Sequence, residues 1–151
     1  MTRKLLAEEA VDHFLEGYNC AQSVLLTMLE HEDLKNVLVP KIASGFGAGI
    51  GRCGSICGAL TGGVMAISSR HGTNEPSAEK RLRSYELSAE LYKQFELQHG
   101  TVYCRELIHY DLSNPKEREK AHEARVFEEK CSNYIRTVIE ILLKLYEDSR
   151  S

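Results

Sequence analysis

The residues of this sequence with the most chemistry to offer are its five cysteines, Cys20, Cys53, Cys57, Cys104 and Cys131. A thiolate is both a nucleophile and a metal ligand, so cysteines support either thiol–disulfide exchange or metal binding. Acidic residues near the N-terminus interrupt the apolar run that a secretory signal peptide needs, so we expect a cytoplasmic protein. Structural disulfides are rare in that reducing compartment, and the cysteines are therefore predicted to be metal ligands or catalytic thiols.

Three of the cysteines follow residues that are typical of helix N-caps, in the pairs Asn19–Cys20, Ser55–Cys57 and Thr101–Cys104. In the first turn of a helix, unpaired N–H groups and the helix dipole favour negative charge, so a thiol there ionises more readily. No helix start can be located for Cys131. An unpaired cysteine is also often a small buried hydrophobe, and this alternative stays open for each of them.

The cysteine spacing does not match a zinc finger. Cys53 and Cys57 are four residues apart, without a second close pair or a pair of histidines at helical spacing. A scattered four-cysteine site remains possible if several helix ends converge, and both iron–sulfur clusters and zinc accept four thiolates. Among the histidines, His109 is the best candidate for a proton donor or an extra ligand. Tyr18 and Tyr103 each lie close to a cysteine and are candidates to line a pocket.

Composition limits the classes of protein to consider. The 151 residues predict one domain spanning 1–151, and 42% hydrophobic with 27% charged residues is ordinary globular usage. A net charge of -3 lacks the basic surplus of a nucleic-acid-binding protein. No apolar run approaches the length of a membrane span. We therefore expect a globular protein that is not embedded in a membrane and does not bind nucleic acid.

Apolar residues recur three and four positions apart along most of the chain, which is typical of amphipathic helices. The predicted helices span about residues 5–16, 20–29, 55–72, 76–99 and 131 onward, with shorter ones after Pro40, Thr101 and Asn114. In the 76–99 helix, the residues predicted to face inward are Leu82, Tyr85, Ala89, Tyr92 and Phe95. No run alternates with a period of two. The predicted fold class is all-α, a single-domain bundle of about six to seven helices.

A glycine-rich loop precedes the central predicted helix. Eight of the 11 glycines lie between residues 45 and 63, which favours a tight and irregular backbone. Gly49, Gly51 and Gly54 match a dinucleotide-binding motif by letter, but the preceding strand that this motif needs is missing. The loop is therefore interpreted as wrapping around the helix that carries Cys57, with N–H groups available to a sulfur or an anion. Arg52, the loop's single charge, would either stabilise a thiolate at Cys53 or Cys57 or face solvent.

The segment 57–62 reads Cys-Gly-Ala-Leu-Thr-Gly, which has the form Cys-Gly-Ala-x-x-Gly. Together with Cys20, Cys104 and Cys131 it resembles the C-GCAxxG-C-C family of redox-active proteins. Supporting similarity lies in Gly-Tyr-Asn-Cys-Ala-Gln-Ser-Val-Leu at 17–25, Ser-Gly-Phe-Gly at 44–47 and Cys-Arg-Glu-Leu at 104–107. The resemblance covers roughly residues 7–145. The family label writes Gly-Cys-Ala where this chain has Cys-Gly-Ala, and Cys53 is not part of the shared set.

The resemblance implies an all-helical fold and a redox role for Cys20, Cys57, Cys104 and Cys131. Some relatives are described as selenoproteins, which favours reactive thiol chemistry, and their genes often lie near transporter genes. The family has no settled substrate or reaction, so the redox partner is unknown.

The first hypothesis is a redox protein whose four shared cysteines form both the catalytic and the metal-binding set. In one mechanism the thiolates hold a metal centre, an iron–sulfur cluster or zinc, and the protein transfers electrons. In the other, cysteine pairs cycle between dithiol and disulfide without metal, with Cys57 attacking. The metal centre is favoured because four separate segments suit a cage better than one exchanging pair. Gly54, Gly58 and Cys53 are predicted to contact the cofactor.

The second hypothesis is a non-enzymatic helical module that binds a transporter or a second copy of the chain. The cysteines would then be packing residues. A homodimer face is predicted on the last helix, where apolar residues repeat near the coiled-coil spacing, at Ile135, Val138, Leu142 and Leu145.

Overall fold

The computed structural model describes residues 2–148, so residues 1 and 149–151 of the predicted domain lie outside the described part. Seven right-handed α-helices follow one another: α1 (Arg3–Glu16), α2 (Cys20–His31), α3 (Gly58–His71), α4 (Ala78–His99), α5 (Cys104–Ile108), α6 (Pro115–Glu123) and α7 (Ser132–Asp148). A 3₁₀ helix spans Lys41–Phe46, and a π-helical turn spans Phe127–Cys131. The all-α, single-domain prediction is confirmed, and none of the helices within 2–148 is long and apolar enough to cross a membrane.

Close helix packing depends on two adjacent glycines in α3. Helix α2 lies against α3, α1 lies against α7, and α4 packs on both α3 and α7. A Cβ atom at Gly62 would lie 2.6 Å from the Ala21 carbonyl oxygen of α2. A Cβ atom at Gly63 would lie 2.8 Å from side-chain atoms of Leu91 and Val138. The small residues therefore let α2, α4 and α7 all approach α3.

The predicted inward face of α4 is wrong except for Phe95. The residues of α4 that are buried are Ser84, Leu87, Leu91 and Phe95. Tyr85 and Leu82 are 62% and 52% exposed, and Ala89 and Tyr92 are exposed as well. Helix α4 carries two apolar stripes, and the one that contains Leu91 fills the space left by Gly63. The contact between Leu91 and Gly63 therefore determines which face of α4 is buried, and the apolar periodicity alone did not predict it.

The apolar stripe of α7 lies in the core. Ile135, Val138 and Leu142 are completely buried and Leu145 is nearly so, because α1, α3 and α4 pack around this helix. This face is covered by the chain itself, so the predicted homodimer surface is wrong. Dimerisation through another surface stays a prediction.

The glycine-rich loop has the irregular backbone that the composition predicts. Five consecutive residues have positive φ, with values of 55° at Ala48, 68° at Gly49, 66° at Ile50, 56° at Gly51 and 70° at Arg52. A β-branched residue such as Ile50 is rarely found in this left-handed region. The turn is held by the Ser55 N–H, which donates to the Gly49 carbonyl oxygen at 2.9 Å. Ala48, Ile50 and Arg52 are strained in this region, and such strain often clusters at functional sites.

An isolated antiparallel bridge between Ile56 and Tyr103 joins this loop to the start of α5. The Cys57 N–H donates to the Val102 carbonyl oxygen at 2.8 Å, and the Cys104 N–H donates to the Ser55 carbonyl oxygen at 2.7 Å. Two cysteines that are 47 positions apart in the sequence are thereby brought side by side.

Candidate functional site

Four of the five cysteines line one cavity of about 140 Å³: Cys20, Cys57, Cys104 and Cys131. All four are free thiols. The remaining wall is mostly apolar and is formed by Phe14, Leu107, Ile108, Leu112, Phe127, Ala48 and Gly58, with Asn19 and Tyr134 as the polar members. The structure therefore brings together the four cysteines that the sequence singled out, from four separate segments of the chain.

Cys20 is the first residue of α2, and the predicted N-cap Asn19 is confirmed. The Asn19 side chain accepts a hydrogen bond from the Gln22 N–H at 2.9 Å, and the Gln22 side chain accepts one from the Asn19 N–H at 3.1 Å. The Asn19 amide also donates to the Ser44 carbonyl oxygen at 2.9 Å. The reciprocal cap fixes the start of α2, and the bond to Ser44 ties it to the 3₁₀ helix that leads into the glycine-rich loop.

The other two predicted caps are displaced towards the cysteines. Cys57 is itself the N-cap of α3, because Ser55 is engaged in the bridge to α5. Tyr103 is the N-cap of α5, while the Thr101 hydroxyl accepts a hydrogen bond from the Tyr103 N–H at 3.2 Å. The helix starts at Cys57 and Cys104 are thus confirmed, with cap residues that differ from the prediction.

Cys131 has a different setting, at the last residue of the π-helical turn that leads directly into α7. A π turn adds one residue to a helical turn and often occurs at functional sites. No cap or glycine marks it, which explains why no helix start could be found for Cys131 in the sequence.

Burial raises the pKa of all four cavity thiols, which contradicts the expectation that helix starts make them acidic. The pKa of Cys104 rises to about 12, and those of Cys20, Cys57 and Cys131 also rise, because desolvation disfavours the charged form. Neighbouring cysteines add to the increase for Cys57, Cys104 and Cys131. Desolvation therefore outweighs the favourable effect of the helix starts.

Backbone N–H groups nevertheless favour negative charge at two of the sulfurs. Those of Ala48, Ala21, Cys20 itself and Gly58 lower the pKa of Cys20 and partly offset its burial. The N–H groups of Ala59 and Leu60 act in the same direction on Cys57, although its side chain makes no standard capping hydrogen bond. Burial thus keeps the cavity thiols protonated, although backbone N–H groups near the Cys20 and Cys57 sulfurs favour the thiolate form.

Of the three residues predicted to contact the cofactor, one lines the cavity and two do not. Gly58 lines the cavity, and a Cβ atom there would lie 2.3 Å from the Cys20 Sγ, so the sulfur occupies the place of a side chain. Cys53 is exposed, and Gly54 has its carbonyl oxygen bonded to the Arg105 N–H at 3.2 Å. Neither Cys53 nor Gly54 lines the cavity.

The other polar candidates lie outside the cavity. His109 is exposed at the C-cap of α5, and Tyr18 and Tyr103 are also exposed. The tyrosine that does line the cavity is Tyr134, whose hydroxyl donates to the Leu107 carbonyl oxygen at 2.9 Å. Its position three residues after Cys131, about one helical turn further along the chain, was the signal that could have identified it.

The two predicted metal centres, zinc and an iron–sulfur cluster, require different placements of the four sulfurs. Within residues 2–148, no group of three or more His, Cys, Asp or Glu side chains is arranged to hold a single metal ion. A tetrahedral zinc ion needs its sulfurs at about 2.3 Å from one point, so the thiols as they stand do not fit zinc. An iron–sulfur cluster has several irons and binds thiolates at different ones, which places the ligands farther apart. The four thiols share one cavity but do not form a preformed site for a single ion among the described residues.

The fold and the site define an all-helical protein with four free cysteines around one cavity. The model of the family described as "Putative redox-active protein (C_GCAxxG_C_C)" matches residues 18–145, and the chain belongs to this family. A relative from Archaeoglobus fulgidus, described as "Uncharacterized protein", is 28% identical over 151 residues, with 90% of this chain and 89% of the relative covered. No solved structure matches the chain.

Proposed function

We propose that this chain is an electron-transfer protein in which Cys20, Cys57, Cys104 and Cys131 bind an iron–sulfur cluster. The observation that carries the proposal is the common cavity of about 140 Å³ that these four cysteines line. A dry cavity of similar size in another protein admits a molecule as large as benzene. When bound, the cluster supplies reversible electron transfer at a potential set by burial and by hydrogen bonds to sulfur.

The residues around the cavity perform separate tasks in this proposal. The N–H groups of Ala48 and Gly58 stabilise negative charge on the Cys20 sulfur. Phe14 and Phe127 help to exclude water from the thiolates. Because burial favours the protonated thiols, binding of iron must release protons, and cluster assembly should be favoured by higher pH. We place the protein in the reducing cytoplasm, with a redox partner that is unknown and transporter association as a further prediction.

The test is anaerobic purification followed by an absorption spectrum and measurement of iron, zinc and sulfide. We expect visible bands with stoichiometric iron and sulfide, which are lost in the Cys57→Ser variant. Cys53→Ser is the matched control, because Cys53 is exposed and outside the cavity, and it should retain the cluster.

Three other outcomes would replace the proposal. Zinc without sulfide would indicate a structural or Lewis-acid site. A two-electron thiol titration without metal would indicate dithiol–disulfide exchange. Absence of metal, with the four cavity cysteines unreactive until the protein is denatured, would indicate a helical module in which they are packing residues.

A further inference from the structure

A larger cleft of about 700 Å³ adjoins the cysteine cavity. The two share five lining residues, Phe14, Asn19, Ala48, Leu112 and Phe127. Because the shared residues form part of both walls, the cleft is a vestibule of the cysteine cavity. Its volume lies within the range of small-molecule sites, which is about 300–1,000 Å³.

The vestibule is lined by the cationic side chains of Arg52 and Arg118 and by the imidazole of His122. Neither arginine has a carboxylate within 4 Å among the described residues, whereas Arg3, Arg70, Arg83, Arg105 and Arg136 each have one. The Arg118 guanidinium donates to the Leu112 carbonyl oxygen at 2.8 Å, which fixes its direction. In a chain of net charge -3, two such guanidiniums at one cleft form a site for an anionic group.

One acidic residue, Glu128, also lines the vestibule. Its Oε2 atom is buried and has no hydrogen-bond partner within the described residues. A buried polar atom without a partner is costly, so this oxygen is available to accept a hydrogen bond from a ligand N–H or O–H group. The site thus combines an anion-binding side with one hydrogen-bond acceptor.

Aromatic rings form the part of the vestibule nearest to the cysteines. Phe14 and Phe127 belong to both cavities, and the His122 ring lies 4.7 Å from the Phe127 ring. The strained turn 48–52 links the two sites, because Arg52 lines the vestibule while the Ala48 N–H favours charge on the Cys20 sulfur. A ligand held by Arg52 would therefore lie on the turn that supports the cysteine site.

We propose that the vestibule binds a small phosphate-bearing electron carrier with a planar N–H-containing ring, of the flavin mononucleotide class. Arg52 and Arg118 bind the phosphate, the ring packs on Phe14 and Phe127, and Glu128 accepts a ring N–H. The role of the flavin as an electron carrier rests on the proposed function, whereas the binding of the flavin in the vestibule does not. If a cluster is bound by Cys20, Cys57, Cys104 and Cys131, a reduced flavin would supply its electrons. Oxidation of the flavin releases two electrons and two protons; the electrons would go singly to the clusters of two protein molecules, and water would accept the protons.

The experiment is a fluorescence titration of flavin mononucleotide and of riboflavin with the full chain. Riboflavin is the matched ligand, because it has the same ring and lacks the phosphate. We expect flavin mononucleotide to bind about tenfold more tightly or better, since charge-assisted hydrogen bonds to a phosphate are strong. Arg52→Gln and Arg118→Gln should each remove most of this difference. Arg125→Gln is the matched variant, because Arg125 also has a positive φ, at 57°, and does not line the vestibule.

Equal binding of the two flavins, no binding of either, or binding unaffected by both vestibule variants would overturn the inference. Circular dichroism melting curves of each variant distinguish loss of the site from loss of the fold. The absorption spectrum of the same samples separates this inference from the proposed function. Cluster bands without flavin binding leave the function standing and refute the vestibule site. Flavin binding without iron keeps the site and refutes its role as an electron carrier to a cluster.

Discussion

The same four helices, α1, α2, α3 and α7, surround two different sites at their opposite ends. At one end lies the cavity of four thiols. At the other end is an open, polar cleft in which Arg70 lies 3.0 Å from the Glu32 carboxylate and 4.5 Å above the Tyr146 ring. Charged groups neutralise one another in the polar cleft, whereas the cysteine cavity contains four ionisable groups of the same kind and no cation.

The difference follows from helix direction. Helices α2, α3 and α7 begin at the cysteine end and finish at the polar cleft, where α2 and α3 carry His31, Arg70 and His71 in their last turns. Helix N-termini favour negative charge and C-termini favour positive charge. The helix N-termini at the cysteine end therefore favour thiolates, whereas the charged side chains of the polar cleft pair with one another.

The largest effect that we predict from this contrast is a pH dependence confined to the cysteine end. In the metal-free, reduced protein the unfolded chain loses its thiol protons from about pH 8.5, whereas folded Cys104 keeps its proton up to a pKa of about 12. The folded state then binds more protons, so its stability falls as pH rises through this range. Each thiol ionised only in the unfolded chain contributes about 1.4 kcal/mol per pH unit.

The measurement is urea unfolding at several pH values between about 8.5 and 10. Cys104→Ser should reduce the slope by the contribution of one thiol, and Cys53→Ser, at an exposed position outside the cavity, is the control variant. Equal slopes in both variants would contradict the assignment of the pH dependence to the cavity.

The second prediction concerns the space at Gly58, where a Cβ atom would lie 2.3 Å from the Cys20 Sγ and 3.0 Å from the Phe46 carbonyl oxygen. Gly58→Ala should lower the free energy of unfolding by about 3 kcal/mol and prevent iron binding, because overpacking displaces the sulfur. Gly45→Ala is the control, since nothing lies within 4 Å of a Cβ atom there. Urea unfolding and iron content measure both effects, and full iron content in Gly58→Ala would disprove the argument.

The third prediction addresses the polar cleft. Arg70→Gln removes one ion-pair partner of a Glu32 side chain that is only 8% exposed, and should lower stability by about 2 kcal/mol. Arg3→Gln, at an exposed pair with Glu147, should cost less than about 1 kcal/mol. Neither variant should alter iron content at temperatures where the protein is folded. Loss of iron from folded Arg70→Gln would show that the two ends are coupled.

The sequence predicted the cysteine end better than it predicted the packing around it. Three of the four cysteines of this end follow helix-start signals, and such local signals can be recognised without a structure, as the Asn19 cap of α2 illustrates. The buried face of α4 is the one that contains Leu91, because Leu91 contacts Gly63, which is distant in the sequence. The apolar periodicity of α4 does not reveal this contact. The direction of the thiol pKa shifts was also missed, because burial is a property of the assembled cavity and not of a helix start.

The smallest effect is expected at Tyr134, the cavity tyrosine that the sequence did not single out. Its hydroxyl donates to the Leu107 carbonyl oxygen at 2.9 Å and so joins α7 to α5, the helix that carries Cys104. Tyr134→Phe keeps the ring and removes this bond, and should lower stability by about 1 kcal/mol. Tyr85→Phe is the control, because Tyr85 is 62% exposed, and it should change stability by less than about 0.5 kcal/mol. Urea unfolding measures both changes, and iron should leave Tyr134→Phe faster when a chelator is added, because α5 is held less firmly. Identical chelation rates would mean that the position of Cys104 is set by its bridge to Ser55 and not by Tyr134.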